Sequence, residues 1–285
     1  MRFVKGHGTE NDFVILPDPD GVLDLAPETV VRICDRRAGI GGDGVLRAVR
    51  TQAARDAALD EAVPDLGARD GAADAEWFMD YRNADGGIAE MCGNGIRVFA
   101  RYLVDAGLAA PGEWNVATRA GLRRVSLGAS GDVSVDMGPV DLLGPAETIV
   151  AGTVFRGERV SVGNPHLACR VDGPVAALDL SRPPGFDPGI FPEGVNVEFF
   201  RTLGERHLEM RVYERGSGET RSCGTGTVAA AAVAARDAGE AGDGPSEWTV
   251  DVPGGRVTVA FEGGTSRLTG PAVLVAEGET RPGWL

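Results

Sequence analysis

Two glycine-rich stretches of this chain each carry a cysteine in a setting that suits proton transfer. One stretch covers residues 90–95 around Cys92, and the other covers residues 221–226 around Cys223. A helix-compatible apolar run follows each stretch, so we expect each cysteine to stand at the start of a helix. A thiolate is stabilised there by unpaired backbone N–H groups and by the positive end of the helix dipole. The two cysteines are therefore candidates for a reactive pair.

The glycines beside these cysteines allow backbone N–H groups to approach a ligand closely. A carboxylate is the natural ligand for such a helix end. If both stretches face one bound amino acid, one thiolate can remove the α-proton while the opposite thiol returns a proton to the other face. Stereoinversion with pyridoxal phosphate would instead need a lysine for the Schiff base, and Lys5, the one lysine, has no phosphate-binding context. We therefore expect no cofactor.

Other interpretations of the cysteines remain open at this point. A single such turn would favour a small buried residue at a packed helix start, whereas a matched pair favours catalysis because reactive thiols need an electropositive setting. A redox sensor would close the pair into a disulfide, which requires Cα atoms within about 7 Å. A metal site is the weaker interpretation, because no two of the four cysteines have CxxC spacing and the three histidines are dispersed.

The two cysteine stretches indicate a duplicated architecture. Cys223 follows Cys92 by 131 positions, close to half of the 285 residues, and Asn83 and Glu214 each stand nine positions before their cysteine. Glycine and proline cluster near residues 138–145. We therefore predict two halves, residues 1–140 and 141–285, with the last strands available to pair back with the first half.

The pattern of short strands and few helices predicts an α/β protein of the α+β type. Each cysteine helix should end at an Asp-Ala-Gly sequence, at residues 105–107 and 237–239, where glycine supplies the stop. A further helix is predicted over residues 27–34, with Cys34 as a buried core thiol. Residues 6–12 are predicted to form a loop, and residues 51–75, rich in Ala and Asp, a solvated insertion.

Composition and charge bound the partners. The formal net charge is −14, which would repel a phosphate backbone, so we expect no nucleic acid partner. No apolar run reaches the roughly 18 residues that a membrane span needs, and the N-terminus lacks a signal-peptide core. We expect a cytoplasmic protein that binds a small molecule and no membrane. The sequence leaves open whether it is a monomer or a homodimer.

Seven ordered motifs along nearly the whole chain resemble those of the diaminopimelate epimerase family. The motifs are His7-Gly8-Thr9-Glu10-Asn11-Asp12-Phe13, Tyr81-Arg82-Asn83-Ala84-Asp85-Gly86, Met91-Cys92-Gly93-Asn94-Gly95, Gly163-Asn164-Pro165-His166, Val195-Asn196-Val197, Glu214-Arg215-Gly216 and Ser222-Cys223-Gly224-Thr225-Gly226. The resemblance implies two pseudo-symmetric domains, each a curved mixed or antiparallel sheet around a central helix, with the active site in the cleft between them. It also implies cofactor-independent interconversion of LL- and meso-diaminopimelate, towards lysine and peptidoglycan precursors.

The resemblance also implies roles for particular residues. Cys92 and Cys223 would be the acid/base pair, and His166 and Glu214 would tune their proton affinity. The substrate-binding set would be Asn11, Asn83, Gly93, Asn94, Asn164, Asn196, Glu214, Arg215, Gly224 and Thr225. Arg215 suits a bidentate grip on the remote carboxylate. No residue is expected to bind a cofactor or a metal.

The runner-up within this fold is a proline or hydroxyproline racemase, which also has paired cysteines. Those relatives usually have His after the first Cys-Gly, whereas this chain has Asn94. The chain also departs from the diaminopimelate epimerase pattern, because Thr9 and Glu10 stand where many members of that family have Leu and Gly. Because Asn11 and Cys223 are retained, we expect diaminopimelate epimerase activity.

Overall fold

A computed structural model describes residues 1–57, 59, 75–128, 131–240 and 245–284. Contacts divide the chain into two compact units, one of Met1–Val135 with Pro271–Leu285 and one of Asp136–Gly270. We call them the first and second unit. Within the described residues, no helix has both the length and the apolar character to cross a membrane.

The first unit is built on a mixed sheet and a buried helix. Its strands are β1 (Arg2–Gly8), β2 (Asn11–Pro17), β3 (Gly44–Arg50), β4 (Trp77–Asn83), β5 (Gly112–Thr118), β6 (Gly121–Leu127), β7 (Val133–Gly138), which crosses the unit boundary, and β18 (Val273–Glu279). Its helices are α1 (Pro27–Cys34), α2 (Thr51–Asp56) and α3 (Gly93–Asp105). Helix α3 packs against β18, β1, β2, β3, β4 and β6, so the sheet curves round it.

The second unit repeats this arrangement. Its strands are β8 (Asp141–Val150), β9 (Thr153–Ser161), β10 (Pro165–Arg170), β11 (Gly185–Phe186), β12 (Asn196–Gly204), β13 (His207–Glu214), β14 (Gly218–Thr220), β15 (Ser246–Val252), β16 (Gly255–Glu262) and β17 (Thr265–Gly270). Its helix α4 (Gly224–Asp237) is rich in Ala and almost entirely buried, and it packs against strands from β9 to β17. A short 3-10 turn covers Val175–Ala177.

The two sheets have the same pairing pattern. In the first unit the strand order is β18, β1, β2, β3, β4, β5, β6, β7, and only the β2–β3 and β4–β5 pairs are parallel. In the second unit the order is β8, β9, β10, β12, β13, β15, β16, β17, and only β10–β12 and β13–β15 are parallel. Strands β2, β3 and β4 therefore correspond to β10, β12 and β13. The expected mixed α+β architecture with pseudo-symmetric halves is confirmed.

Several local predictions need correction. Residues 6–12 were predicted as a loop, but β1 continues to Gly8, and the turn consists of Thr9 and Glu10, which both have positive φ. The region near residues 138–145 was predicted as a boundary, yet β8 begins at Asp141. Its register shift near Gly144 accommodates the glycine and proline that suggested a loop. Those residues mark a bulged strand.

Two predicted segments fall differently in the structure. We assigned the last residues to the second half with strands available to pair back with the first, and β18 does pair antiparallel with β1, so Pro271–Leu285 lies in the first unit. The predicted insertion at residues 51–75 begins with helix α2, and residues 58 and 60–74 lie outside the described residues. Helix α1 has the predicted bounds, and Cys34 on it is buried, as predicted.

Candidate active site

Cys92 is the N-cap residue of α3, as its position in the sequence predicted. Its backbone is extended, with φ −137° and ψ 121°, and its Sγ accepts a hydrogen bond from the Gly95 N–H at 3.4 Å. Gly95 is needed there, because a Cβ would lie 3.3 Å from Leu46 and 3.5 Å from Phe13. The glycine turn thus lets the helix start lie directly on the sheet and leaves the half-buried thiol at its end.

Asn11 lies beside Cys92 and is held by a carboxylate. The Cys92 thiol donates to Asn11 Oδ1 across 3.7 Å, and the Asn94 amide donates to the same oxygen at 3.2 Å. The Asn11 amide nitrogen donates to Asp43 Oδ2 at 2.7 Å. Because a carboxylate only accepts, Asp43 fixes the Asn11 amide with its oxygen toward the thiol. Sequence analysis did not select Asp43.

A buried cation stands behind this first cysteine. The Arg97 side chain is fully buried and donates from Nη2 to Asn94 Oδ1 at 2.8 Å and to Thr9 Oγ1 at 3.1 Å. Burial lowers the pKa of its guanidinium to about 10, and the negative charges of Cys92 and Asp132 oppose that shift. The guanidinium therefore remains a cation at neutral pH, and its attraction for Cys92 favours the thiolate.

The remaining predicted residues of the first unit occupy the same neighbourhood. Gly93 is the buried first residue of α3. Asn83 ends β4 opposite Gly44, and its backbone closes the turn to Gly87. Its side chain is exposed. Asn83 thus forms a turn, whereas no direct contact between Asn83 and Cys92 is seen among the described contacts.

Cys223 is the N-cap residue of α4, and its surroundings differ from those of Cys92. It is only 7% exposed, and burial together with the charges of Glu214 and Glu198 raises its pKa well above the usual thiol value. The Gly226 N–H and the Thr225 hydroxyl oppose this shift. The Thr225 Oγ1 lies 3.6 Å from the sulfur. In this state Cys223 is a neutral thiol at pH 7.

Glu214 is close to this thiol. Burial raises the pKa of its carboxyl, while hydrogen bonds with Thr220 and Cys223 lower it. Glu214 therefore contacts Cys223, in agreement with the role in tuning proton affinity that the family resemblance implied. Thr220 on β14 was not predicted, because a three-residue strand after a glycine turn gives no pattern.

A chain of polar side chains leads from the sheet to the start of α4. The Glu198 Oε1 lies 2.7 Å from His166 Nδ1, and His166 Nε2 lies 2.9 Å from Asn164 Oδ1. The Asn164 amide nitrogen donates to Thr225 Oγ1 at 3.4 Å, which brings the chain to Cys223. His166 and Glu198 are both fully buried.

Asn196 and Arg215 form a separate pair in the second unit. The Arg215 N–H donates to Asn196 Oδ1 at 2.9 Å, and the Asn196 amide donates to the Pro165 carbonyl at 3.1 Å. The Arg215 side chain is exposed, and its Nη1 donates to the Glu193 carbonyl at 3.1 Å. Its guanidinium is thus at the surface of the unit, where it can reach a ligand carboxylate. Gly224 is the buried first residue of α4.

The functional residues that sequence analysis missed are Asp43, Arg97 and Glu198. Two of them had a signal in the sequence, because Arg97 and Glu198 are charged residues inside apolar runs. A charged side chain in an apolar run is expected to be buried, and buried charged side chains are almost always paired with another polar group. Asp43 had no such signal, since it lies in a glycine-rich turn.

The other two cysteines lack this setting. Cys34 and Cys169 are buried in apolar surroundings, and burial raises the pKa of Cys34 to about 11 and that of Cys169 further. They remain thiols at neutral pH. The four thiols thus separate into two inert core residues and two at helix starts.

Comparison with known proteins gives one consistent family. The family model for diaminopimelate epimerase matches residues 3–143 and 159–277. A diaminopimelate epimerase of Thermobifida fusca is 61% identical over 99% of this chain and 98% of its own length. That of Streptomyces coelicolor is 51% identical over 100% of this chain and 97% of its own.

Solved structures with low sequence identity share the fold. A phenazine biosynthesis protein of the PhzF family from Bacillus anthracis has a TM-score of 0.66 at 17% identity and covers 99% of both chains. A probable proline racemase from Agrobacterium radiobacter has a TM-score of 0.64 at 14% identity, covering 99% of this chain and 93% of its own. These structures share the fold, and the family model with the relatives of 51% and 61% identity shows that the chain belongs to the diaminopimelate epimerase family.

Proposed function

We propose that this protein interconverts LL- and meso-diaminopimelate by a two-base proton transfer that needs no cofactor. Cys92 and Cys223 act on opposite faces of one α-carbon. In one direction Cys92 takes the α-proton as thiolate and Cys223 gives a proton as thiol. In the other direction the roles reverse, and the same two sulfur atoms complete the reaction.

The observation that carries this proposal is the matched environment of the two thiols. Each caps a helix that begins with glycines. In the proposed reaction the substrate carboxylate is held by first-turn N–H groups, from Gly93 and Asn94 at one helix and from Gly224 and Thr225 at the other. Negative charge that develops on that carboxylate during proton removal is stabilised by the same N–H groups. The exposed Arg215 supplies a cation for the remote carboxylate.

Hydrogen exchange at the α-carbon tests the reaction directly. The reduced protein, freed of metal and of pyridoxal phosphate, is incubated with LL-diaminopimelate in deuterated water. We expect deuterium at the α-carbon and formation of the meso isomer. A protein that incorporates no deuterium would contradict the proposal.

L-Proline is the control substrate, because proline racemases share the fold. Proline racemases usually have His after the first Cys-Gly, as noted for the family resemblance, whereas this chain has Asn94, so we expect no exchange with proline. Exchange with proline and none with diaminopimelate would assign the second activity instead.

We also propose that the protein works in the reducing cytoplasm. All four cysteines are free thiols in the structure, and the reaction needs Cys92 and Cys223 in the reduced state. Titration of the purified protein with a thiol reagent, before and after exposure to an oxidant, measures this requirement. Activity should fall as the two thiols are consumed.

A further inference from the structure

Equivalent positions of the two units can be matched through their parallel strand pairs. In the first unit Phe13 on β2 pairs with Gly44 on β3, and in the second unit His166 on β10 pairs with Asn196 on β12. Two residues earlier on the first strand of each pair stand Asn11 and Asn164. The two asparagines are therefore equivalent, and each lies beside its own cysteine helix.

The sheet side chains that lie under the first turn of each cysteine helix, which we call the floor, differ between the two units. Two residues after Gly44 and Asn196 stand Leu46 and Glu198, on the same face of the sheet as Phe13 and His166 respectively. The first unit thus has an apolar pair where the second has two ionisable groups.

This replacement shows that the fold itself does not need the polar pair. In the first unit a Cβ on Gly95 would meet Leu46 at 3.3 Å and Phe13 at 3.5 Å. In the second unit a Cβ on Gly226 would lie 2.5 Å from Glu198 Oε1. The side chains of both sheets thus lie against the first turn of their helix, and Glu198 approaches more closely than Leu46 does. A buried histidine and glutamate in place of apolar residues cost desolvation free energy, so they call for a functional reason.

The buried carboxyl orients the histidine. Glu198 contacts His166 Nδ1 through Oε1, and its other oxygen has no hydrogen bond among the described residues. Burial raises the pKa of Glu198, and the hydrogen bond with His166 opposes this shift. Because an amide oxygen only accepts, the contact with Asn164 Oδ1 places an imidazole proton on Nε2 and leaves Nδ1 facing Glu198.

The two equivalent asparagines are consequently held in opposite orientations. Asn11 turns its oxygen to the Cys92 thiol, because Asp43 accepts from its amide nitrogen. Asn164 turns its amide nitrogen toward Thr225, because His166 occupies its oxygen.

We propose that Glu198 is a positioning residue that, through His166 and Asn164, points a chain of hydrogen-bond donors at the Cys223 sulfur. This inference rests on the proposed function, in which Cys223 must become a thiolate in every turnover. In this proposal the donors point the same way, from His166 to Asn164, to the Thr225 hydroxyl and to the sulfur. Aligned donors polarise one another, so the last one stabilises the thiolate more than an isolated hydroxyl would.

The unmodified enzyme provides the first test. Its histidines are His7, His166 and His207, so ¹⁵N NMR of the imidazoles can be assigned with two single substitutions. We expect His166 to carry a proton on Nε2, because Asn164 Oδ1 lies 2.9 Å away and can only accept. A His166 side chain with an unprotonated Nε2 would overturn the proposal.

Two substitutions of Glu198 separate contact from charge. Glu198→Gln removes the charge but keeps a donor for Nδ1, whereas Glu198→Asp keeps the carboxyl but withdraws it from the imidazole. We expect Glu198→Asp to lower turnover about tenfold and to raise the pH midpoint of Cys223 alkylation by about one unit. Glu198→Gln should stay within about threefold of the unmodified enzyme, with a midpoint no higher.

Control variants complete the design. Glu209→Gln removes a carboxylate that pairs with Arg201 on the neighbouring strands, and it should leave both readouts unchanged. If Glu198→Asp does not fold, the double variant His166→Phe with Glu198→Leu copies the floor of the first unit. It should fold and show the same rise in the alkylation midpoint.

The outcomes are distinguishable. A Glu198→Gln enzyme that is more impaired than Glu198→Asp would show that the charge matters rather than the contact, and this would overturn the proposal. Unmodified protein that does not turn over diaminopimelate would refute the proposed function instead. In that case NMR and the alkylation midpoints still decide whether the donor chain exists.

Discussion

The two cysteine helices occupy equivalent places in their units, yet the buried charges around them have opposite sign. Five residues after Cys92 stands Arg97, a fully buried cation. Five residues after Cys223 stands Val228, and the buried charges there are the carboxyls of Glu198 and Glu214. These charges therefore favour the thiolate of Cys92 and the neutral thiol of Cys223.

The hydrogen bonds compensate for this difference. Beside Cys92 the Asn11 oxygen accepts from the thiol and so favours the protonated sulfur, whereas beside Cys223 the Thr225 hydroxyl and the Gly226 N–H lower its pKa. Each half thus contains a charge that favours one protonation state and at least one hydrogen bond that favours the other, while the Gly95 N–H acts with Arg97 to favour the Cys92 thiolate. A reversible two-base enzyme needs two thiols of similar proton affinity, because each must act as acid in one direction and as base in the other.

The largest effect should come from removing either thiol. Cys92→Ala and Cys223→Ala each eliminate one proton carrier, so we expect epimerisation in both directions to fall at least about a thousandfold. The formation of meso-diaminopimelate from the LL isomer, and the reverse, would be followed by chiral chromatography. Cys34→Ala is the control, since its buried thiol lies outside both sites. Substantial epimerisation by either single variant would refute the two-base scheme.

Arg97→Met removes the buried positive charge near Cys92. Loss of the cation should lower turnover about tenfold and raise the pH at which Cys92 is alkylated by about one unit. Iodoacetamide labelling with peptide mass mapping reports Cys92 and Cys223 separately. In the unmodified enzyme Cys92 should react at the lower pH.

Arg97→Lys retains the charge and should keep the alkylation midpoint low. Arg101→Met, one turn further along α3, removes a partly exposed guanidinium that pairs with Asp105, and it should change neither readout. Because Arg97→Met removes the hydrogen bonds that Arg97 donates to Asn94 Oδ1 and Thr9 Oγ1, we expect a lower melting temperature, and the alkylation midpoint is measured at a temperature well below it. An unchanged midpoint in that variant would show that Arg97 does not act on the thiol.

Glu214→Gln removes one of the negative charges near Cys223, and we expect a smaller effect than for Arg97→Met. The charge of Glu214 contributes to the raised pKa of Cys223, so its removal should lower the alkylation midpoint of Cys223 by about half a unit. The midpoint of Cys92 should not move. Glu219→Gln on β14, which loses a surface pair with Arg211, is the matched control. A rise in the midpoint of Cys223 would contradict the assigned direction.

The elements that position the site followed from local sequence patterns. The glycines after Cys92 and Cys223 and the Asp-Ala-Gly stops predicted helices that the structure has at Gly93–Asp105 and Gly224–Asp237. Short-range signals of this kind need no knowledge of the partner strands. The equal spacing of Asn83 and Glu214 from their cysteines likewise indicated the repeat, because β4 and β13 end at these residues.

The remaining features depend on contacts between distant residues. Glu198 reads as one polar residue in an apolar strand, and its partner His166 lies 32 positions away, on a parallel neighbour. The orientation of Asn11 likewise depends on Asp43, a turn residue without a local pattern. Strand β18 joins the first unit only because it pairs with β1, which sequence periodicity cannot reveal.

The smallest expected effect is an opposite response of the two units to acid. Burial raises the pKa of Asp12, but hydrogen bonds from Arg36 and Lys5 outweigh it and hold that pKa well below its usual 3.8. A depressed pKa gives stabilisation that is present above 3.8 and lost as the pH falls. The raised pKa values of Glu198 and Glu214 have the reverse effect, since these carboxyls destabilise the fold as the pH rises above 4.5 and acidification relieves them.

Hydrogen exchange with mass spectrometry measures this difference, after correction for intrinsic exchange rates. Between about pH 5 and about pH 3, peptides from β1 and β2 should lose protection while peptides from β10 and β12 keep it. Asp12→Asn should remove the acid sensitivity of the first unit, because the Asp12 carboxylate is protonated as the pH falls and an asparagine amide is not. Equal loss of protection in both units of the unmodified protein would show that the opposite carboxyl shifts do not govern acid stability. Loss confined to β10 and β12 would reverse the signs assigned to them.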